Sequence, residues 1–285
     1  MENKSILLSI GVPTYNRADS LKRQLSFLYS ELMDLSDEEK SRVSITVRDN
    51  CSSDKTREVV SSSLLFSLSI VKCSYYINPQ TLGLEGNLNK LYSTLEGEYL
   101  WIIGDDDSLK KGILRIVFDE CKERCFSYIF VNHTITKNNS VVCDSVLADI
   151  DVNRKDKAAL WDLYNKSGTV MMLISACIYR SDLVKDYLLK YGIDLIIPCS
   201  LSFYCASRGD IRLIGEPFLK NDQSEISWEK SLDKVFYFLI PSLMLRMPSW
   251  GYNKKECIRE YIRIKKKYIK RIPRVFVKKV LNKMS

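Results

Sequence analysis

Gly97-Glu98-Tyr99-Leu100-Trp101-Ile102-Ile103-Gly104-Asp105-Asp106-Asp107 decides how the rest of the chain is read. The run from Tyr99 to Ile103 is apolar, aromatic and β-branched, entered from one glycine and closed by another. It reads as a buried strand that delivers three carboxylates to its carboxyl end. In an open α/β sheet that is the edge where ligands sit. Three adjacent carboxylates repel one another, and a hard cation that prefers oxygen ligands, Mg2+ or Mn2+ carrying a diphosphate, explains why they stand together. The competing reading is a polar loop whose aspartates cap a helix beginning near Leu109-Lys110-Lys111.

On the amino-terminal side the pattern is regular. Residues 5–12 form an apolar first strand that runs into Pro13-Thr14-Tyr15-Asn16-Arg17, a turn in which Asn16 can cap the next helix. In that helix Leu21, Leu25, Leu28 and Leu32 recur at helical spacing. A second strand over 43–47 ends in Arg48-Asp49-Asn50-Cys51-Ser52-Ser53-Asp54, and a helix over 55–65 comes after it with Ser53 or Asp54 as its cap. A third strand covers 70–77, and Leu84, Leu88, Leu91 and Leu95 mark the helix after Gly83. Beyond Asp107 come a helix over 112–122 and a strand over 128–131. Strand and helix alternate throughout, which implies crossover connections and a mostly parallel, Rossmann-like α/β sheet with helices on both faces.

After Thr134 the pattern loosens. Lys137-Asn138-Asn139-Ser140 is a turn between short strands, and residues 169–179 re-enter the sheet after a helix over 158–165. Another helix covers 182–189. Residues 195–206 are apolar, and periodicity does not decide between helix and strand. Residues 211–214 and 217–219 read as a closing strand pair.

Composition narrows the class. A chain of 285 residues, 46% hydrophobic and 27% charged, buries a full core. No uncharged apolar run reaches the roughly 18 residues that span a bilayer, and the apolar start over 6–12 is a first strand, not a signal peptide. The nine cysteines are scattered without a Cys-x-x-Cys pair, which points to reduced thiols in a cytoplasmic chain and to neither disulfides nor zinc. The single histidine, His133, excludes any metal site built on two histidines and reads as structural. The net charge of +8 is concentrated at the end: residues 254–285 hold 13 Lys+Arg against 2 Glu, a net +11 that leaves −3 for the remainder.

If the first strands are parallel, four polar loops open on one edge. Tyr15 offers a ring to stack on a base, Thr14 and Asn16 offer hydrogen bonds, Asp49 accepts from a base or ribose, and Gly83 and Asn87 mark a helix that approaches the ligand closely. Singly, each is also an ordinary turn residue. Val12-Pro13-Thr14-Tyr15-Asn16-Arg17, Val47 through Thr56, Asn78 with Leu82-Gly83 and Asn87, and Gly97 through Asp107 together resemble the ordered motifs of family 2 glycosyltransferases of the GT-A fold. The likeness is to the bacterial, abequosyltransferase-like branch that builds O-antigen and capsular polysaccharide. It covers residues 5–132 well and the rest loosely.

The resemblance implies a nucleotide-sugar donor on the half formed by residues 1–132 and an acceptor on residues 133–227. Tyr15 and Asp49 would hold the base and Asp105 the ribose or sugar. Asp106 or Asp107 would hold the divalent cation, and Pro13, Thr14, Asn16, Arg17, Asn50, Gly83 and Asn87 would complete the donor contacts, with Asp106 among them. An inverting enzyme of this kind needs a carboxylate to take the acceptor hydroxyl's proton. The family's position for it falls near Pro198-Cys199, which has none, so Asp194 is the candidate base, with Asp222 and Glu225 next. As a residue, Asp194 reads equally as a helix cap.

Residues 228–285 form a basic amphipathic helical region. From Lys254 it reads as two short helices separated by Pro273, with one stripe of Ile258, Tyr261, Ile262, Tyr268, Ile269 and Ile272 and a second of Val277, Val280, Leu281 and Met284. Basic residues on the other faces suit an anionic membrane surface, which would place the protein peripherally on the inner face of the cell membrane beside a polyprenyl-phosphate-linked or oligosaccharide acceptor. A solvated helix packed on its own domain is the alternative. Nucleic acid is not an expected partner, since the aromatic residues follow helical spacing. A nucleotidyltransferase would need a glycine-rich basic loop after the first strand, where Thr14-Tyr15-Asn16 stands. A catalytically silent nucleotide-binding or scaffold homologue is the remaining alternative.

Overall fold

The computed structural model of the protein describes residues 5–224 and 231–269. The chain divides into two compact units, Met1–Ser224 and Glu225–Ser285.

In the first unit, β1 (Leu8–Thr14), α1 (Ala18–Met33), α2 (Asp37–Lys40), β2 (Val43–Asp49), α3 (Thr56–Ser61), β3 (Lys72–Ile77), α4 (Gly83–Thr94) and β4 (Tyr99–Ile102) follow one another, and apart from the short α2, which the sequence reading lacks, strand and helix alternate as the sequence predicts. Their strands lie parallel in the order β3-β2-β1-β4. Then come β5 (Ser108–Leu109), α5 (Ile113–Lys122), β6 (Phe126–Lys137), β7 (Ser140–Cys143), α6 (Lys157–Ser167), β8 (Cys177–Arg180), α7 (Ser181–Tyr191), α8 (Ile197–Ala206) and β9 (Asp210–Asp222). β8 runs antiparallel between β4 and β6, β9 lies parallel beside β6, and β5 and β7 are short antiparallel additions to β9 and β6. Six of the nine strands therefore share one direction. Leu8, Ile10, Val12, Ile45, Val47, Leu100 and Trp101 are fully buried, which is what fixes the register of the central strands.

Two expectations change in the structure, and two open readings are decided. The predicted strand pair at 211–214 and 217–219 is the single strand β9, whose pairing with β6 jumps from Val131↔Ile214 to His133↔Leu219. Pro217 has no amide to donate, so the ladder breaks there and resumes beyond the bulge, while Asn132 Nδ2 donates to Gly215 O at 2.6 Å across the gap. Residues 195–206 resolve into α8, in which every residue from Ile197 to Ala206 is buried, so no amphipathic period exists to be read. Asn16 does not cap α1: its φ is 51° and its Oδ1 accepts from Ser53 N at 2.8 Å, whereas Asp54 Oδ2 takes the Ala18 amide at 3.0 Å. Nor do the Asp105–Asp107 acids cap the next helix. Ser108–Leu109 pairs with β9, and the buried Glu31 carboxylate from α1 receives Gly112 N and Leu114 N at the start of α5, the latter at 3.0 Å.

In the second unit, α9 (Leu232–Lys234) continues through a wide π-type turn, Val235–Leu239, into α10 (Ile240–Arg246). A tight turn over Met247–Trp250 ends at Gly251 with φ 82° and leads to α11 (Lys254–Ile269). Of the predicted first stripe, Ile258 and Ile262 are exposed, while Cys257 and Ile264 face inward. Ile272 and the predicted second helix beyond Pro273 lie outside the described residues.

Candidate active site

Parallel pairing brings the carboxyl ends of β1, β2, β3 and β4 to one edge, with Thr14 in register with Asp49 and Asp49 with Ile77. Backbone bonds continue past the strand ends: Asn50 N to Thr14 O at 2.9 Å, Asn78 N to Asp49 O at 2.8 Å, and Ile103 N to Gly11 O at 2.9 Å. The loops are thus held to one another before any ligand binds.

Three side-chain groups stand on this edge. In the first, Thr14 Oγ1 donates to Asp105 Oδ2 at 2.7 Å, and the Arg17 guanidinium reaches Asp105 Oδ1 at 3.1 Å and also pairs with Asp106. Burial pushes the Asp105 carboxyl up from its ordinary range, against the Thr14 hydrogen bond and the Arg17 charge. Asp107 turns the other way, under Gly104. Its Oδ2 accepts Gly104 N at 3.1 Å and the Ser175 hydroxyl, and a Cβ on residue 104 would stand 2.6 Å from that oxygen. Burial raises the Asp107 carboxyl as well.

In the second group, Asp49 accepts Tyr75 OH at 2.7 Å on Oδ2 and Ser52 N at 2.8 Å on Oδ1, leaving a lone pair on each oxygen. Tyr15 projects beside it with its ring exposed. The third group is a buried amide network. Asn78 Nδ2 donates to Asn87 Oδ1 at 2.8 Å and Asn50 Oδ1 at 3.1 Å, Asn78 Oδ1 accepts from Arg48 Nε at 2.9 Å, and Asn50 Oδ1 also takes Leu82 N at 2.8 Å. Asn50 and Asn87 are therefore spent on fixing the loop that ends at Gly83, whose φ of 69° favours glycine and whose open face leaves room for a ligand.

The structure brings Pro13, Thr14, Tyr15, Asn16, Arg17, Asp49, Asn50, Gly83, Asn87, Asp105, Asp106 and Asp107 to this one edge. Asp194 stands in the turn before α8, where its Oδ1 accepts the Ile196 amide at 3.0 Å. That helix is tied to the strand beside β4, since Tyr179 OH donates to Pro198 O at 2.9 Å and Tyr179 pairs with Leu100. Asp222 bonds its own neighbour Ser224, and Glu225 lies outside the described residues. Sequence reasoning missed two partners. Tyr75 was hidden in an ordinary strand. Ser175 was signalled only as a polar residue in an apolar run, on the turn Ile174–Ala176 that leads into β8.

Among the described residues no three His, Cys, Asp or Glu side chains converge to hold a metal by themselves. The donor set nonetheless fits a magnesium-like ion, which takes one or two carboxylates and draws its remaining ligands from phosphate and water. Asp106 is exposed, and Asp107 Oδ1 carries no hydrogen bond among the described residues.

A four-strand parallel edge with an acidic run at the tip of β4 is the arrangement of the GT-A fold. S. aureus TarS 1-349, solved in complex with UDP-GlcNAc, matches with a TM-score of 0.67 at 16% identity over 90% of this chain and 72% of that one. The mannosyltransferase PcManGT of Pyrobaculum calidifontis, solved with GDP-Man and Mn2+, matches with a TM-score of 0.55 at 12% identity over 98% of this chain and 80% of that one. Residues 9–186 match the model of the family described as glycosyl transferase family 2, and the chain belongs to that family. It is 31% identical over 115 residues to abequosyltransferase RfbV of Salmonella typhimurium, across 39% of this chain and 32% of the relative. It is 27% identical over 154 residues to the GalNAc(5)-diNAcBac-PP-undecaprenol beta-1,3-glucosyltransferase of Campylobacter jejuni, across 52% of this chain and 46% of the relative. The matched segments thus span less than half the length of these curated relatives.

Proposed function

We propose that the protein is an inverting glycosyltransferase that moves one sugar from a nucleotide-sugar donor to a lipid-linked or saccharide acceptor in surface polysaccharide assembly, of the O-antigen or capsule type. The observation that carries this reading is the coincidence, on one edge, of an exposed Tyr15 ring, the Asp49 carboxylate and the Asp105–Asp107 acids. Tyr15 stacks on the base and Asp49 accepts from it. Asp105, oriented by Thr14, takes the ribose or sugar hydroxyls. Asp106 and Asp107 would hold Mg2+ or Mn2+, which when bound neutralises charge on the departing nucleoside diphosphate. Asp194 accepts the proton of the attacking acceptor hydroxyl.

The acceptor and location rest on two supports. One is the undecaprenol-linked substrate named for the Campylobacter relative; the other is the net +11 of residues 254–285. Among the described residues no helix is long and apolar enough to cross a membrane. Attachment through the basic C-terminal region, on the cytoplasmic face of the membrane, is the arrangement that brings such an acceptor within reach.

The competing reading, a catalytically silent nucleotide binder, draws on α8, where buried Pro198 and Cys199 occupy the position at which the resemblance expects a carboxylate. A thermal-shift panel of nucleoside diphosphates with and without Mn2+ tests the binding half of both readings, since a ligand of the native state raises Tm. We expect one diphosphate to raise it in a metal-dependent way, and Asp106→Ala to remove the metal-dependent increment and slow sugar transfer by about 10²-fold. No stabilisation by any diphosphate would overturn both readings. Binding without nucleotide-sugar hydrolysis or transfer favours the silent one.

A further inference from the structure

The second unit folds as a helical hairpin. α11 doubles back along the segment before it, so that Lys265 Nζ donates to Tyr237 O at 2.6 Å and lies 5.7 Å from the Phe238 ring centroid. Phe238 and Leu245 stand seven residues apart on the first arm, and Ile258, Ile262 and Lys265 stand at four- and three-residue steps on α11. Spacings of four and seven residues return to one side of an α-helix, so α11 carries Ile258, Ile262 and Lys265 together, and Lys265 links that side to Phe238. Phe238 is 67% exposed, Leu245 57%, Ile262 43% and Ile258 39%, high values for four large apolar side chains on one small unit.

The charge around them is mostly positive, with Asp233 and Glu256 the exposed acids among the described residues of this unit. Lys254, Lys255, Arg259, Lys266 and Lys267 on α11 are exposed, against the single exposed acid of that helix, Glu256. Glu260, the other acid of the helix, is buried and paired with Arg263. Lys265 holds its ammonium over the Phe238 and Tyr261 rings, 5.7 and 5.8 Å from their centroids, so a cation already stands against this aromatic surface.

We infer that Phe238, Leu245, Ile258 and Ile262 form a docking face for an anionic lipid bilayer, with the basic residues of α11 meeting the headgroups. The inference rests on the proposed membrane attachment of the C-terminal region. It goes beyond it by moving the contact from the composition of the chain end to a folded, two-armed face, half of which precedes Lys254. The apolar residues enter the boundary of headgroup and acyl chain, and the cations supply selectivity for anionic lipid.

The test is sedimentation of the full chain with vesicles of equal phosphatidylglycerol and phosphatidylcholine, against vesicles of phosphatidylcholine alone. We expect the wild type to bind the anionic vesicles at least about tenfold more tightly than the neutral ones. The variant Phe238→Ser/Leu245→Ser/Ile258→Ser/Ile262→Ser should lose at least about tenfold in that binding. Its far-UV circular dichroism, Tm and nucleoside diphosphate binding should be unchanged, because all four side chains are already exposed. A folded quadruple variant that sediments like the wild type overturns the docking face. If a chain ending at Ile269 then fails to sediment, the attachment lies in the last residues and the broader membrane reading survives. Equal binding to neutral vesicles, or conversion of a wild-type dimer to a monomer by the four substitutions without any vesicle binding, also overturns it. Donor binding, read separately, reports on the glycosyltransferase assignment whichever way the vesicles decide.

Discussion

The acids of the first four strands and the acids of the later half are held in opposite ways. On the β1–β4 edge each carboxylate is braced by a residue distant in sequence: Thr14 and Arg17 on Asp105, Tyr75 on Asp49, Ser175 on Asp107. In the later half the candidate acids bond their own turns, Asp194 to the Ile196 amide and Asp222 to Ser224. Cross-bracing fixes an edge before a ligand arrives and spares the cost of ordering it. The difference teaches that the β1–β4 edge is preorganised across the sheet, whereas the bonds of Asp194 to Ile196 and of Asp222 to Ser224 shape the turns in which these acids stand.

The largest expected effect breaks or sharpens that contrast at Asp194. Asparagine keeps an oxygen for the Ile196 amide and so preserves the turn, while removing the capacity to take a proton. Asp194→Asn should leave donor binding and Tm unchanged and lower transfer to the acceptor by about 10²- to 10⁴-fold, the usual contribution of a general base. Transfer at the wild-type rate would reduce Asp194 to a helix-entry residue and return the search to the acids beyond it.

The same contrast explains what the sequence made legible. The first half is built of strand, crossover and parallel strand, so each element announces itself through a local period, and the turn residues at 13–17, 48–54 and 104–107 fall on one edge once parallel pairing is assumed. The partners of those residues were not legible: nothing in Met171-Met172-Leu173-Ile174-Ser175 announces that a hydroxyl will close over Asp107. The later half hides its fold for two reasons. α8 is buried all round, so its sequence carries no helical stripe. β9 continues past Pro217 by a bulge, so its sequence looks like two strands.

His133 carries the next largest effect and lies in the later half, opposite Leu219 where the β6–β9 pairing resumes. Its ring is fully buried, and burial disfavours the charged form and lowers its pKa to about 4, against the opposing pull of a backbone hydrogen bond at Val131. An unfolded histidine titrates near 6.5, so the unfolded chain binds a proton first as pH falls. The contribution is therefore absent above the unfolded value and grows into a destabilisation of about 3 kcal/mol as pH drops from about 6.5 to about 4. Denaturant unfolding across that range should show the loss, and His133→Leu should flatten it, because leucine carries no group to titrate. An equal slope in both proteins would mean that the histidine gains a polar partner in solution.

The smallest expected effect concerns Arg17, a cation set against the acids of the braced edge. Its guanidinium spans Asp105 and Asp106, so a divalent ion reaching Asp106 meets a cation already in place. Both Arg17, 44% exposed, and Asp106, 51% exposed, are accessible to water, which weakens the competition well below that of a buried pair. Arg17→Gln should therefore tighten binding of Mn2+ alone by about tenfold, equal to about 1.4 kcal/mol, read from the free-ion signal in electron paramagnetic resonance. The same variant should bind the nucleoside diphosphate without metal more weakly, because a positive charge beside the phosphates has been removed. Opposite signs in one variant separate a displaced counter-ion from general loosening of the loop, which would weaken both. Unchanged Mn2+ affinity would mean that the ion does not use Asp106, and the pairing of Asp106 with Asp107 as its protein ligands would fall.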